Sequence, residues 1–272
     1  MKKYIFTISL FYFMFSCSSG DDSFAPPPPE MEKDEKKSED DFIIIKPNLD
    51  VALTNNIVYG KDFVVFEPEV TTSPLGFWKI RKKGDVAYYA SSDKNAADAI
   101  NDSYLEFTGN NLNSGPPKSP LSYTFKAPKT GKFRIIMRML QPLKKISLNS
   151  EQYEPEDKRN DLWIKLEGDF TTACSYPTMV LKKNKKFWGR GVRKWGSLIK
   201  LEDHINGAKV QQKVVYNFKE GENYKLTISG RAQGCSIDYI LFYDESKIPD
   251  VSVDMHSDPI ELLPKTHTPI TK

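Results

Sequence analysis

NYKLTISGRAQGCSIDYILFYD, residues 223–244, holds two apolar alternations separated by a glycine-bearing break. Tyr224, Leu226 and Ile228 alternate with Lys225, Thr227 and Ser229, and Ile237, Tyr239, Leu241 and Tyr243 resume the same period. A period of two sends successive side chains to opposite faces, so each half predicts a strand with one face on a core. The same period recurs upstream. Leu121, Tyr123 and Phe125 alternate with Ser122, Thr124 and Lys126, and Leu162, Ile164 and Leu166 alternate with Trp163, Lys165 and Glu167. Phe133, Ile135, Met137 and Met139 alternate in part with Arg134 and Arg138. Pro128-Lys129-Thr130-Gly131 and Glu220-Gly221-Glu222-Asn223 are turn signals between such runs. No stretch sustains a helical period. Short strands at close spacing predict an all-β chain, an antiparallel β-sandwich of the jelly-roll kind. Two long loops are expected, at 140–159 and 169–211.

The start of the chain has a different composition. MKKYIFTISLFYFMFSC opens with two lysines and an apolar run too short to span a bilayer, as a secretory signal does. Met14-Phe15-Ser16-Cys17 looks like a bacterial lipobox, which makes Cys17 the lipidated N-terminus. Ser18-Ser19-Gly20-Asp21-Asp22 resembles the export tag of Bacteroidetes surface lipoproteins. The implied location is the outer membrane, facing outward, held by acyl chains. Residues 17–47, with PPPP at 26–29 and a charged run after it, are too polar to fold and are expected to act as a tether. The expected order is therefore signal 1–16, tether 17–47, sandwich 48–246, and a tail or strap at 247–272.

Charge is divided unevenly. Residues 18–41 hold nine acids and three bases, whereas 42–272 hold 27 acids and 34 bases, a net +7. Residues 182–200 contain eight Lys or Arg and no acid. Within them FWGRGVRKWG, 187–196, combines Trp188 and Trp195 with Arg190 and Arg193. Sugar rings stack on indoles, and guanidinium groups hold sulfate or carboxylate. Gly189, Gly191 and Gly196 would let backbone approach a ligand. Either tryptophan could instead cap the core beneath the loop. Trp78, in LGFWKIRKKG, adds a second aromatic and basic segment; Arg138 and Trp163 are expected on a solvent-facing sheet, and Arg231 at a strand end. These eight residues are the candidate carbohydrate-binding set.

FVVFEPE (63–69), PLSYTFKAPKTGKFRIIMRM (120–139), NDLWIKLEG (160–168) and the opening stretch occur in an order that resembles β-sandwich carbohydrate-binding modules of families 6 and 35, and related modules of marine polysaccharide-degrading enzymes. The resemblance covers 63–244 and implies glycan binding without catalysis. It also implies a structural calcium ion held by Glu67 and Glu69 on an early strand and an acid near the last, Asp238. The residues alone are equally compatible with two exposed edge carboxylates.

Other chemistries find little support. There is no GxSxG elbow, no phosphate-cradling glycine loop and no recognisable carboxylate pair. His204 stands alone, and His256 and His267 lie in the tail. Cys174 and Cys235 could form a disulfide or remain buried thiols, and no Cys/His cluster suggests zinc. The reading is a non-catalytic surface lipoprotein that captures an anionic, sulfated, algal-type polysaccharide for a neighbouring degradation and outer-membrane transport system. The alternative is a polysaccharide lyase or glycoside hydrolase with an unrecognised site. Nucleic acid fits the same patch, but export to the cell surface disfavours it.

Overall fold

A computed structural model describes residues 44–45, 57–92, 98–112, 114–248 and 253–262. The signal, Cys17 and the tether as far as residue 43 lie outside the described residues. Fifteen strands and three short 3-10 turns make up the regular structure of the described residues. In chain order the strands are β1 (Ile44–Ile45), β2 (Ile57–Gly60), β3 (Phe63–Phe66), β4 (Trp78–Lys82), β5 (Ser103–Phe107), β6 (Lys118–Lys126), β7 (Gly131–Leu140) and β8 (Asp161–Glu167). They continue as β9 (Thr171–Thr172), β10 (Lys185–Arg190), β11 (Gly196–Ile205), β12 (Ala208–Lys213), β13 (Val215–Phe218), β14 (Asn223–Gly230) and β15 (Ser236–Asp244).

All strand pairs are antiparallel, and they form two layers. One layer runs β2-β3-β15-β7, with β4 and β5 beside the start of β15 and β13 beside the start of β7. The other runs β6-β14-β8-β10-β11-β12. Strand β11 belongs to both. Gly196–Leu198 pair with Met137–Met139 of β7, and Lys200–Ile205 pair with β12. The hydrogen-bonded sheet is thus continuous, but its two parts face each other as an antiparallel β-sandwich. Rings meet across the gap: Phe125 of β6 lies 4.6 Å from Phe242 of β15, and Tyr224 of β14 lies 4.3 Å from Phe218 of β13. The alternating residues supply this core. Leu121, Tyr123, Phe125, Leu162, Ile164, Leu166, Tyr224, Leu226 and Ile228 all point into it. Cys174 and Cys235 are buried and free, so of the two readings left open the thiol pair is observed.

Strand β7 breaks the alternation, because eight consecutive residues from Phe133 to Leu140 are buried. Its second face is covered as well. Ile136 and Ile199 pack on Ile248 and Val253, while Leu140 and Trp195 pack on Ala99 and Tyr104. Ser197 Oγ donates to the Ser257 carbonyl at 2.9 Å, so residues 253–262 cross this face as a strap. Arg138, expected at the surface, is fully buried here. It donates to Asp238 at 2.7 Å, to both oxygens of Asp258 at 2.8 and 2.7 Å, and to the Asp98 carbonyl at 2.7 Å. Its guanidinium also lies over the Trp195 ring, 4.6 Å from the centroid. A buried guanidinium is tolerated when its donors are matched in this way.

The connection 169–211 also differs from expectation, since it contains β9, β10, β11 and the start of β12. Its strands were hidden by a register shift between Trp188 and Gly189, opposite Lys200 and Leu198. That shift lets both Leu198 and Leu201 enter the core, which erases the period of two. Trp195 and Trp78 are core residues, not ligand platforms. Trp195 meets Tyr104 edge to face at 5.7 Å. Trp78 packs on Phe107 at 5.1 Å and donates its Nε1–H to the Ser119 carbonyl at 2.8 Å.

Truncating a buried tryptophan removes a large contact area. Trp195→Ala and Trp78→Ala should each lower stability by about 3–5 kcal/mol in chemical denaturation. Trp188→Ala, half-buried on the opposite surface, should cost clearly less. Equal losses for all three would contradict this assignment of inside and outside.

Candidate functional site

The open face of the second layer carries the other aromatic and basic residues. Residues directly opposite on antiparallel strands share a face. Register therefore aligns Asp161 of β8, Trp188 of β10, Lys200 of β11 and Lys213 of β12 in one row. The adjacent row is Trp163, Lys186, Glu202 and Gln211. A cavity of about 280 Å³ opens on these rows, lined by Asp157, Asn160, Asp161, Lys186, Trp188, Arg190, Glu202, Lys209 and Gln211.

Its charges are largely paired across strands. Lys186 Nζ lies 3.5 Å from Asp161 and 3.9 Å from Glu202. Lys209 reaches Glu202 at 2.9 Å, and Gln211 Nε2 donates to the same carboxylate at 3.1 Å. Arg190 donates to Glu156 at 2.8 Å. Arg231 donates to Asp161 and lies over the Trp163 ring, 5.5 Å from its centroid. Burial pushes the Asp161 carboxyl up, against the pull of Arg231 and Lys186. Burial also opposes ionisation of Glu202, but hydrogen bonds from Lys209 and Gln211 hold it below the usual carboxylate range. Two polar atoms are left over. Asp161 Oδ1 and Trp188 Nε1 are buried without a hydrogen-bond partner in the protein. One accepts and the other donates, and both residues line the cavity. Because both line one cavity, a single polar group or pair of groups seated there could fill both.

Four of the eight nominated residues gather here: Trp188 and Arg190 in the wall, with Trp163 and Arg231 adjoining through Asp161. Arg193 is not part of that wall. It holds a left-handed backbone at φ 57° and lies over Tyr153, 4.0 Å from the ring centroid. Trp78, Trp195 and Arg138 are inside the fold, as described. The glycines also have another role. A Cβ on Gly189 would stand 1.7 Å from the Ser197 carbonyl oxygen, and one on Gly196 would stand 2.1 Å from that of Arg190. One on Gly191 would stand 2.2 Å from the Met139 carbonyl oxygen. They admit neighbouring strands rather than a ligand. Asn160, Asp161, Lys186, Glu202, Lys209 and Gln211 were not foreseen. The alternation of Lys209, Gln211 and Lys213 about Val210 was the available signal, and it becomes meaningful only once β12 is placed beside β11.

The calcium donor set does not fit as it stands. Asp238 spends its oxygens on Arg138 and on the Ile100 N–H at 2.9 Å. Glu67 accepts from Asn101 Nδ2 at 2.5 Å, and Glu69 from Ser103 Oγ at 3.2 Å. Among the described residues no three acids, histidines or cysteines converge as a metal-ligand set. Glu69 is buried, with Oε2 unpaired. Burial, then the Glu67 and Asp238 carboxylates, push Glu69 well above the usual range.

No protein-family profile and no curated protein matches this chain. Solved structures that it resembles include a Podospora anserina GH26-CBM35 β-(1,4)-mannanase, at 9% identity and TM-score 0.36, over 71% of this chain and 30% of that one. A family 35 carbohydrate-binding module from Clostridium thermocellum matches at 12% identity and TM-score 0.34, over 67% of this chain and 98% of the module. An Arthrobacter globiformis T6 isomalto-dextranase complexed with panose matches at 9% identity and TM-score 0.33, over 68% of this chain and 24% of the enzyme.

Glu69 has a pH signature with a definite sign. Its folded pKa exceeds the unfolded value of about 4.3, so its contribution is full below that value and is lost as pH rises. Glu69→Gln should therefore match the parent in melting temperature near pH 4 and exceed it at pH 8. Millimolar calcium after EDTA treatment should leave the parent unchanged. A calcium-dependent rise in melting temperature, abolished by Glu69→Gln, would reinstate the ion.

Proposed function

We propose that this chain is a non-catalytic, surface-anchored glycan-binding lipoprotein that captures an anionic, sulfated polysaccharide of the algal-wall type. Its lipid anchor is Cys17, its location the outer surface of the outer membrane, and its partners a neighbouring polysaccharide-degradation and uptake system. The lipobox, the acidic export tag and the proline-rich tether support the anchoring.

One observation carries the binding reading: the sheet-face cavity in which Trp188 and Asp161 leave an indole N–H and a carboxylate oxygen unmatched. A sugar hydroxyl donates and accepts at once, so a pair of ring hydroxyls satisfies both. Lys186, Gln211 and Glu202 add planar and point donors and acceptors around them. Binding sites of this kind combine an aromatic wall with a few placed polar groups. The paired charges oppose the alternative of hydrolysis, because the carboxylates of Asp161 and Glu202 are each engaged by lysine, with Arg231 also on Asp161.

Affinity electrophoresis against sulfated and neutral polysaccharides tests the reading. The full-length protein should be retarded by at least one sulfated polymer, and Trp188→Ala should abolish retardation. Trp195→Ala, if it remains folded, should keep it. Equal mobility of the parent in every gel would refute glycan capture, and release of reducing ends or unsaturated products would move the protein to the enzymes.

A further inference from the structure

The cavity itself is close to charge-balanced, so it does not explain selection of an anionic polymer. Arg190, the cation that the sequence nominates for that role, is engaged by Glu156. Lys186 and Lys209 are engaged by Asp161 and Glu202. Two other lysines on the same face are not. Lys200 and Lys213 stand directly opposite each other across β11 and β12, and neither forms an ion pair with an acid of the described residues. Like charges opposite each other in a sheet are destabilising. Here the pair continues the row that contains Trp188, and Lys200 Nζ stands 5.9 Å from the Trp188 ring centroid. Both side chains are half-buried, which limits how far water can screen them.

Resting on the glycan-binding reading above, we propose that Lys200 and Lys213 form an anion subsite that holds a sulfate ester of the sugar seated against Trp188. The anion relieves the repulsion between the ammonium groups, and the neutral part of the ring lies in the balanced cavity beside it. Two ammonium groups are point donors that can converge on the three terminal oxygens of a sulfate ester. A planar carboxylate is better matched by the fork of an arginine, and the arginines near this face are turned to Glu156 and Asp161. The sequence-favoured anion holders, Arg190 and Arg193, are thereby replaced by a pair on neighbouring strands.

The test uses the full-length protein and the double variant Lys200→Gln/Lys213→Gln, with three polymers: a sulfated polysaccharide, its desulfated product and a polyuronate. The parent should prefer the sulfated polymer by about tenfold, the scale of one or two charge-assisted contacts. The double variant should bind the sulfated and desulfated polymers alike, at the affinity of the parent for the desulfated one. A retained preference for sulfate would overturn the subsite while leaving glycan binding intact. A parent that prefers the polyuronate would overturn the sulfate assignment. If the parent binds no polymer, the glycan reading itself has failed, and inorganic sulfate then decides the subsite. At constant ionic strength, a larger rise in melting temperature for the parent than for the double variant supports it; equal rises overturn it.

Discussion

Strands β10 and β11 approach each other and β7 so closely that no side chain fits at three positions. Gly189 and Gly196 face carbonyl oxygens of the opposing strand, and Gly191 faces that of Met139. Any Cβ there would collide with backbone, which cannot yield as the end of a flexible side chain can. This tight crossing lets β11 leave β7 after Leu198 and continue beside β12, so a single strand serves both layers. It also decides the fate of the flanking tryptophans. Trp188 precedes the crossing and faces outward on the second layer, whereas Trp195 follows the turn and enters the covered face of the first.

The two faces then differ in physical character. On the covered face, Arg138 is desolvated and matched by Asp238, Asp258 and a backbone carbonyl, with the Trp195 ring beneath it. Loss of Asp258 would remove the acceptor of two Arg138 donors inside the fold, so the strap that carries it is part of the fold. On the open face, Asp161 is buried against Arg231 and Lys186, while the other acids and bases are half-buried or exposed, and their pairing fixes side-chain directions more than it adds stability. That arrangement suits a recognition surface. The donors and acceptors are oriented in advance, and two polar atoms remain for a ligand.

Much of the fold was legible from side-chain period. β6, β8 and β14 alternate as the sequence predicts, with one face on the core. β15 does not: a register shift between Ile237 and Tyr239 sends Tyr239, Leu241 and Tyr243 to the second face and puts Ile240 and Phe242 in the core beside Ile237, and both faces are covered. β7 was legible only in part, because both of its faces are covered. β10 and β11 were read as a loop, since the glycines and the register shift remove the alternation that marks a strand. The site was less legible for a related reason. The run 182–200 contains no acid, so it looked like a cationic patch. Asp161, Glu156 and Glu202 come from other segments, and pairing across strands engages Lys186 and Arg190, the two cations of the run that line the cavity. Trp163 and Arg231 were found because an aromatic or a base interrupts an otherwise regular strand or its end. Lys200 ends the basic run and Lys213 ends the alternation of β12, but neither segment shows that the two stand opposite each other.

The central claim is that Trp188, unlike the tryptophans of the core, meets ligand with its indole N–H. The protein has four tryptophans, so an indole-selective nitrogen–proton spectrum gives four resonances, assignable by single substitution. On titration with a sulfated oligosaccharide, the Trp188 resonance should move most and Trp163 less, while Trp78 and Trp195 stay in place. Movement of Trp195 with Trp188 unmoved would contradict the account.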